Sequence, residues 1–203
     1  MNAMVEHNAG FRLAADEVAG RVDTLDWQRI GQDLDAVGCA VISKLVSASD
    51  CEAIAALYPE DRIFRSHIIM ERHGFGRGEY KYFLYPLPDL VGSLRTALYP
   101  HLVPIANRWN EQMRVPVRFP DQHKAFIARC HAAGQQRQTS LLVQYVAEDY
   151  NCLHQDLYGE HVFPLQVAIL LAEPGRDFTG GEFVLTEQRP RMQSRAEVVP
   201  LTQ

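Results

Sequence analysis

The sequence lacks any apolar run long enough to cross a membrane, and it also lacks internal repeats and low-complexity segments. The stretch from Met1 to Val22 carries Glu6, Asp16 and Glu17 and has no sustained apolar core, which argues against a signal peptide. We therefore expect a soluble, cytoplasmic protein without a membrane partner. With 47% hydrophobic and 22% charged residues in 203, the composition predicts one globular domain with a sizeable core.

Paired cysteines and an excess of basic charge are missing as well. The four cysteines (Cys39, Cys51, Cys130 and Cys152) form no CxxC pair, which excludes a zinc knuckle and a disulfide scaffold and indicates reduced thiols. The formal net charge of -5 gives no general attraction for nucleic acid or anionic membranes, although a local basic surface is still compatible with it.

The hydrophobic pattern places helices first and most strands later. Helical spacing predicts helices from Asp26 to Val37, from Ser47–Asp50 through Tyr58, from Leu90 to Met113, and from Asp121 to Ala133. Runs of β-branched and aromatic residues predict strands at 39–42, within 63–85, and at 141–146, 153–157, 164–171, 182–186 and 197–201. This order indicates an α+β domain whose sheet portion carries the chemistry.

The most informative motif is Leu153-His154-Gln155-Asp156, which lies in one of the predicted strands. Side chains alternate between the two faces of a strand, so His154 and Asp156 are expected on one face and Gln155 on the other. A neutral imidazole and a carboxylate suit divalent iron, and non-haem iron oxygenases bind the metal with two histidines and one carboxylate. The pair therefore predicts two of three iron ligands.

A His-x-Asp tripeptide also arises by chance, and its simplest interpretation is a surface turn. Its context favours the metal site, because predicted strands flank the pair and can hold ligands rigidly. Gly180-Gly181, which follows the next apolar run, predicts a hairpin turn into the strand that contains Glu182 and Phe183.

Taken together, Tyr145, His154-x-Asp156 and the segment Gly180–Phe183 resemble the iron(II)/2-oxoglutarate-dependent dioxygenases. Residues 140–186 resemble both the AlkB-type nucleic-acid dealkylases and the prolyl-hydroxylase-like members. The longer strings at 73–82 and 151–159 resemble a bacterial family of this superfamily that is labelled as an oxygenase acting on alkylated DNA.

The resemblance implies a fold and a set of roles. The fold would be a double-stranded β-helix (jelly roll), in which residues 1–135 form a helical and β-hairpin part packed on the sheet and residues 136–203 form the first part of the roll. His154 and Asp156 would bind iron. Tyr145 would lie beside the cosubstrate carboxylate, although an ordinary core aromatic is an equally good interpretation.

The cofactors implied are Fe(II), 2-oxoglutarate and O2, and the reaction would hydroxylate a C–H bond while 2-oxoglutarate becomes succinate and CO2. An N-methyl group oxidised in this way would leave as formaldehyde. A proline or another side chain would keep the hydroxyl group.

The sequence departs from the superfamily after Asp156. The distal histidine, and the Arg or Lys that pairs with 2-oxoglutarate, are expected on later strands of the roll. His161 follows Asp156 too closely to match that histidine, and Arg189, Arg191 and Arg195 come too early to match that cation. We therefore expect a roll that is incomplete at its C-terminal strands, through truncation or because a partner supplies the rest. Such a chain would bind iron weakly and turn over poorly, if at all.

Residues 62–83 interleave basic and aromatic side chains, as surfaces for a flipped or single-stranded base do. Arg77, Tyr80 and Lys81 are the candidates for pairing with phosphate and stacking on a base. An amphipathic hairpin with one solvated face explains the same pattern. Three functions remain open: a dealkylase of damaged nucleic acid, a protein or small-molecule hydroxylase, and a catalytically incomplete binding module.

Overall fold

The computed structural model describes residues 15–157, 159–187 and 193–202. The helices are α1 (Ala15–Asp23), α2 (Trp27–Val37), α3 (Ala48–Ala55), α4 (Asp89–Gln112) and α5 (His123–Ala132). The strands are β1 (Phe64–Ile69), β2 (Gly76–Arg77), β3 (Glu79–Phe83), β4 (Leu141–Gln144), β5 (Tyr150–Asn151), β6 (Phe183–Glu187) and β7 (Arg195–Val199). Within these ranges, no helix is both long and apolar enough to span a membrane.

The strands form three small antiparallel sheets, with the orders β1-β3-β4, β2-β5 and β6-β7. The three-stranded sheet joins the two predicted parts of the chain, because β4 from the C-terminal part pairs with β3 from the N-terminal part. Over the described residues the sheets do not close into a barrel, so the jelly roll stays a prediction.

The main hydrophobic core lies between the helices and the three-stranded sheet. Phe83 on β3 is 1% exposed, and its ring stacks on that of Phe64 at a centroid distance of 4.9 Å. Val18 of α1, Leu94 of α4 and Leu142 of β4 belong to the same cluster. A second cluster packs α4 against α5 and consists of Tyr99, Val103, Ala106, Phe119, Phe126 and Cys130.

Helix α2 is confirmed together with both of its end signals. The Asp26 carboxylate accepts a hydrogen bond from the backbone N–H of Arg29 at 3.0 Å and so caps the first turn. Gly38 ends the helix in the left-handed region, with φ 78°, and its N–H donates to the carbonyl of Leu34. Helix α1 was not predicted.

Two tryptophans tie helix α4 to helices α1 and α2. The ring of Trp27 stacks on His101 at a centroid distance of 4.4 Å, and His101 Nε2 lies 2.8 Å from the Asp23 carboxylate. Trp109 Nε1 donates to Asp35 at 2.6 Å, and Arg108 donates to the same carboxylate. These hydrogen bonds hold the pKa of Asp35 below its ordinary value, and the bond from Trp109 has the largest effect.

Three predicted strands are wrong: the structure forms no strand at 39–42, 153–157 or 164–171. A strand needs a neighbouring backbone to pair with, and a β-branched composition does not supply one. Val167 and Ile169, in the last of these segments, are exposed. The remaining strands lie close to their predicted positions, with β6 at Phe183–Glu187 and β7 at Arg195–Val199.

Candidate metal site

The predicted metal pair lies just beyond the short strand β5. A tight turn follows Tyr145, in which the N–H of Asp149 donates to the Val146 carbonyl at 3.1 Å and the Asp149 carboxylate accepts from the N–H of Val146 at 2.9 Å. Strand β5 comes next, and residues 152–157 then run without regular secondary structure. We call residues 152–157 the metal loop.

His154 and Asp156 do face the same side of the chain, although the metal loop is not a strand. His154 Nε2 lies 3.5 Å from Asp156 Oδ1. The other ring nitrogen, Nδ1, lies 2.8 Å from the carbonyl oxygen of Cys152. Because a carbonyl only accepts, Nδ1 is the donor in this hydrogen bond, and Nε2 is the ring nitrogen on the side of Asp156. A metal-ligating histidine usually has its second nitrogen fixed in this way.

The two donor atoms fit a divalent ion between them. Donors that each lie about 2.1 Å from an ion, at a right angle, are roughly 3.0 Å apart, which is close to the 3.5 Å seen here. The side chains of His154 and Asp156 are 49% and 37% exposed, so an ion and a chelating cosubstrate can reach them.

A third protein ligand does not join the pair anywhere in the described ranges, because no group of three His, Cys, Asp or Glu is placed to hold an ion there. His161 therefore does not complete the site. Its backbone is instead held by Gln135, which accepts from the N–H of His161 at 2.8 Å. Arg189 and Arg191 lie outside the described residues.

Tyr145 directly precedes the turn and packs against the β1–β3 hairpin, whose connection contains β2. Its side chain is about half-exposed, and its ring packs over Gly78. Burial of the phenol raises the pKa of Tyr145, and a hydrogen bond with the Asn151 side chain partly offsets this rise. This contact between Tyr145 and Asn151 was not predicted from the sequence.

The three predicted substrate residues do not share a surface. Arg77 is exposed, and Tyr80 is half-buried with its ring edge-on to Tyr82 at 5.5 Å. Lys81 points to the opposite face of β3 and is 6% exposed. Its Nζ donates to Asp61 at 2.7 Å and to the Tyr58 carbonyl at 3.0 Å.

The assignment of Lys81 to a phosphate-binding surface is therefore wrong, because its ammonium group is buried and already hydrogen-bonded. A cation that the sequence reasoning missed lies on the other face: the guanidinium of Arg65 stacks over the Tyr82 ring at 4.2 Å. The alternation of β3 and its pairing with β1 could have indicated this arrangement, since Ser66, next to Arg65, pairs with Tyr82.

Gly180 and Gly181 both have positive φ, 73° and 70°, as a tight turn into β6 requires. A Cβ at Gly181 would lie 3.3 Å from the Phe178 ring, whereas nothing lies within 4 Å of the corresponding position at Gly180. This pair of glycines therefore shapes the backbone before β6.

Residues 78–203 match the profile of a family described as an oxygenase, catalysing oxidative methylation of damaged DNA. The chain belongs to this oxygenase family. The matched part covers more than half of the chain and contains Tyr145, His154 and Asp156, so the candidate metal site lies inside the region shared with the family.

The chain is 51% identical over 121 residues to an uncharacterized protein of Mycobacterium tuberculosis, in strain CDC 1551 / Oshkosh and equally in strain ATCC 25618 / H37Rv. The alignment covers 60% of this chain and 52% of each relative, so the chain spans about half the length of the curated relatives that it matches. No solved structure matches the chain.

Proposed function

We propose that this chain is an iron(II)/2-oxoglutarate-dependent oxygenase that acts on alkyl groups of damaged DNA. The observation that carries the proposal is the 3.5 Å separation of His154 Nε2 and Asp156 Oδ1, with Nδ1 fixed by the Cys152 carbonyl. Membership of the oxygenase family supports the reaction class, and the description of that family supports DNA as the substrate. The predicted fold of the catalytic part remains the jelly roll.

In this proposal His154 and Asp156 hold Fe(II), and Tyr145 lies beside the carboxylate of 2-oxoglutarate. The bound iron supplies oxidation of a C–H bond by O2, coupled to the conversion of 2-oxoglutarate to succinate and CO2. One oxygen atom enters succinate and the other enters the substrate carbon. The chain positions the two small molecules and the target carbon.

An oxygenase of this kind removes a methyl group from nitrogen and does not add one. Hydroxylation turns N–CH3 into N–CH2OH, whose C–N bond then breaks to give formaldehyde and an N–H group. The products of one turnover are therefore succinate, CO2, formaldehyde and the repaired base, and these account for every atom of O2 and 2-oxoglutarate.

The test is to incubate the chain with Fe(II), 2-oxoglutarate, O2 and a methylated single-stranded oligonucleotide, and to measure succinate and formaldehyde together. We expect both products in equal amounts, and neither from the unmethylated oligonucleotide. Succinate without formaldehyde would instead indicate a hydroxylase of protein or of small molecules. If the chain binds Fe(II) but forms neither succinate nor formaldehyde, the result would contradict the enzyme and favour a binding module.

Replacing Arg77 and replacing Lys81 should have different effects on the binding of single-stranded DNA. Replacing exposed Arg77 with alanine should weaken binding of single-stranded DNA and reduce the slope of log affinity against log salt by about 0.7, the value of one phosphate contact. Replacing Lys81 with methionine should leave that slope unchanged. It should instead destabilise the fold by about 1–3 kcal/mol, because Asp61 and the Tyr58 carbonyl lose their donor.

Fluorescence anisotropy over a salt series measures the slope, and urea unfolding measures the free energy of unfolding for the same variants. Lys81→Met is the matched control for Arg77→Ala, since both remove one positive charge from the same hairpin. An equal loss of DNA affinity in both variants would show that net charge alone, and not a surface around Arg77, attracts the DNA.

A further inference from the structure

The segment Gly74–Gly78 contacts the chain on both sides of the turn that precedes the metal loop; we call it the glycine clamp. Its strand β2 pairs with β5, Gly76 opposite Asn151 and Arg77 opposite Tyr150. The ladder continues into the metal loop, because the N–H of Cys152 donates to the Phe75 carbonyl at 2.8 Å. The clamp therefore holds the backbone that leads directly into His154.

Only glycine fits at position 76. Its φ is +122°, and a Cβ there would lie 2.2 Å from the Tyr150 carbonyl oxygen and 3.1 Å from the Cys152 nitrogen. Both of those atoms belong to the backbone, so no side-chain rotation can relieve the overlap. A side chain at this position must push β5 and the start of the metal loop away from the clamp.

Gly78 makes a second close approach, to a different part of the site. Its φ is +116°, and a Cβ there would lie 2.7 Å from Cδ1 of the Tyr145 ring. Gly74 also has a positive φ, +70°, but nothing lies within 4 Å of the position of its Cβ. Gly74 thus requires a positive φ alone, whereas Gly76 and Gly78 require a positive φ and also leave no room for a side chain.

A short series of contacts connects the clamp to the metal pair. The Phe75 carbonyl accepts from the N–H of Cys152, and the Cys152 carbonyl accepts from Nδ1 of His154. Nε2 of His154 then faces Asp156. Any movement of the Cys152 peptide unit would therefore change the direction of the His154 ring.

We propose that Gly76 and Gly78 of the glycine clamp are the positioning residues of the candidate site. Gly76 sets the orientation of His154 through the Cys152 peptide, and Gly78 sets the place of the Tyr145 ring. Both are positioning residues, since neither touches the metal or the cosubstrate. The inference rests on the proposed function, because it assigns the clamp a role toward iron and 2-oxoglutarate.

The test compares Gly76→Ala with Gly74→Ala, using Co(II) as the probe metal and isothermal titration of the full chain without O2. Both variants force alanine to a positive φ, but only Gly76→Ala also meets backbone atoms. We expect Gly76→Ala to weaken Co(II) binding about 10- to 100-fold, the range for groups that orient metal ligands. Gly74→Ala should stay within about 3-fold of the natural chain.

Gly78→Ala keeps the test decisive if Gly76→Ala does not fold, because the Tyr145 ring in its way can rotate and the Gln144 carbonyl oxygen is 3.2 Å away. We expect it to leave Co(II) affinity nearly unchanged and to weaken 2-oxoglutarate binding to the Co(II)-loaded chain about 10-fold. In a Tyr145→Ala background the ring is gone, so adding Gly78→Ala should weaken 2-oxoglutarate binding no further.

The outcomes separate the two proposals. If the natural chain binds no Co(II), the iron site and the clamp both fail. If it binds Co(II), and Gly74→Ala and Gly76→Ala weaken binding equally, the clamp alone fails. An effect of Gly78→Ala that persists without the Tyr145 ring would likewise overturn its assigned role.

Discussion

Replacing His154 with alanine should abolish the binding of Fe(II) and Co(II) at the metal loop. The ring contributes one of only two protein donors that the described residues place together, so its loss leaves Asp156 alone. We expect an affinity loss of more than about 100-fold, beyond the range seen when only an orienting group is removed. Isothermal titration without O2 measures the affinity, and succinate formation should be lost in parallel.

His161→Ala is the matched control, because the hydrogen bonds of His161 with Gln135 are made by its backbone and not by its imidazole ring. It should leave metal affinity and succinate formation unchanged. Asp156→Asn should resemble His154→Ala, since the amide is a poor ligand for iron. Retention of metal binding in His154→Ala, or its loss in His161→Ala, would remove the basis of the oxygenase mechanism.

Replacing Phe83 with alanine should lower the free energy of unfolding by about 3–5 kcal/mol, the range for deleting a buried aromatic side chain. Phe83 is 1% exposed, stacks on Phe64 and belongs to the cluster that joins the helices to the three-stranded sheet. Urea unfolding followed by circular dichroism measures the change.

Val143→Ala is the control for that experiment, because Val143 lies on β4 in the same sheet but is 43% exposed. This substitution should change the free energy of unfolding by no more than about 0.5 kcal/mol. A similar cost for both substitutions would mean that the sheet and the helices do not share one core. Metal affinity measured on the folded fraction of Phe83→Ala should remain close to that of the natural chain.

The helices could be predicted because their signals are local. Asp26 and Gly38 mark the two ends of α2, and both act as caps in the structure. The predicted helix from Leu90 to Met113 differs from α4 by one residue at each end. Apolar spacing and capping depend on residues within one or two turns, so no knowledge of the tertiary structure was needed.

Between β5 and β6 the strand predictions failed, because strand formation does not depend on local signals in the same way. The apolar run from Pro164 to Leu171 has the composition of a buried strand, yet no strand forms there. Pairing depends on which backbone lies alongside, and that is decided by residues far away in sequence. Strands β6 and β7 were placed nearly correctly because they pair with each other across a short connection.

The sequence predicted that His154 and Asp156 face the same side, but the structure brings this about for a different physical reason. His154 and Asp156 face one side, but an irregular loop and the Cys152 carbonyl bring this about, not the alternation of a strand. The burial of Lys81 was missed because its partner Asp61 lies outside the hairpin. The close approaches at Gly76 and Gly78 were not predicted, since they are visible only once both segments are placed.

The two tryptophans have a practical consequence for all of these experiments. Trp27 and Trp109 are the only two in the sequence, and both are held among the helices, by His101 and by Asp35. Their emission therefore reports whether α1, α2 and α4 are docked, and it is blind to rearrangement near Cys152. A chain whose ligand-binding region has come apart could keep an unaltered tryptophan spectrum. Tyrosine absorbance, through Tyr145 and Tyr150, is the optical probe suited to that region.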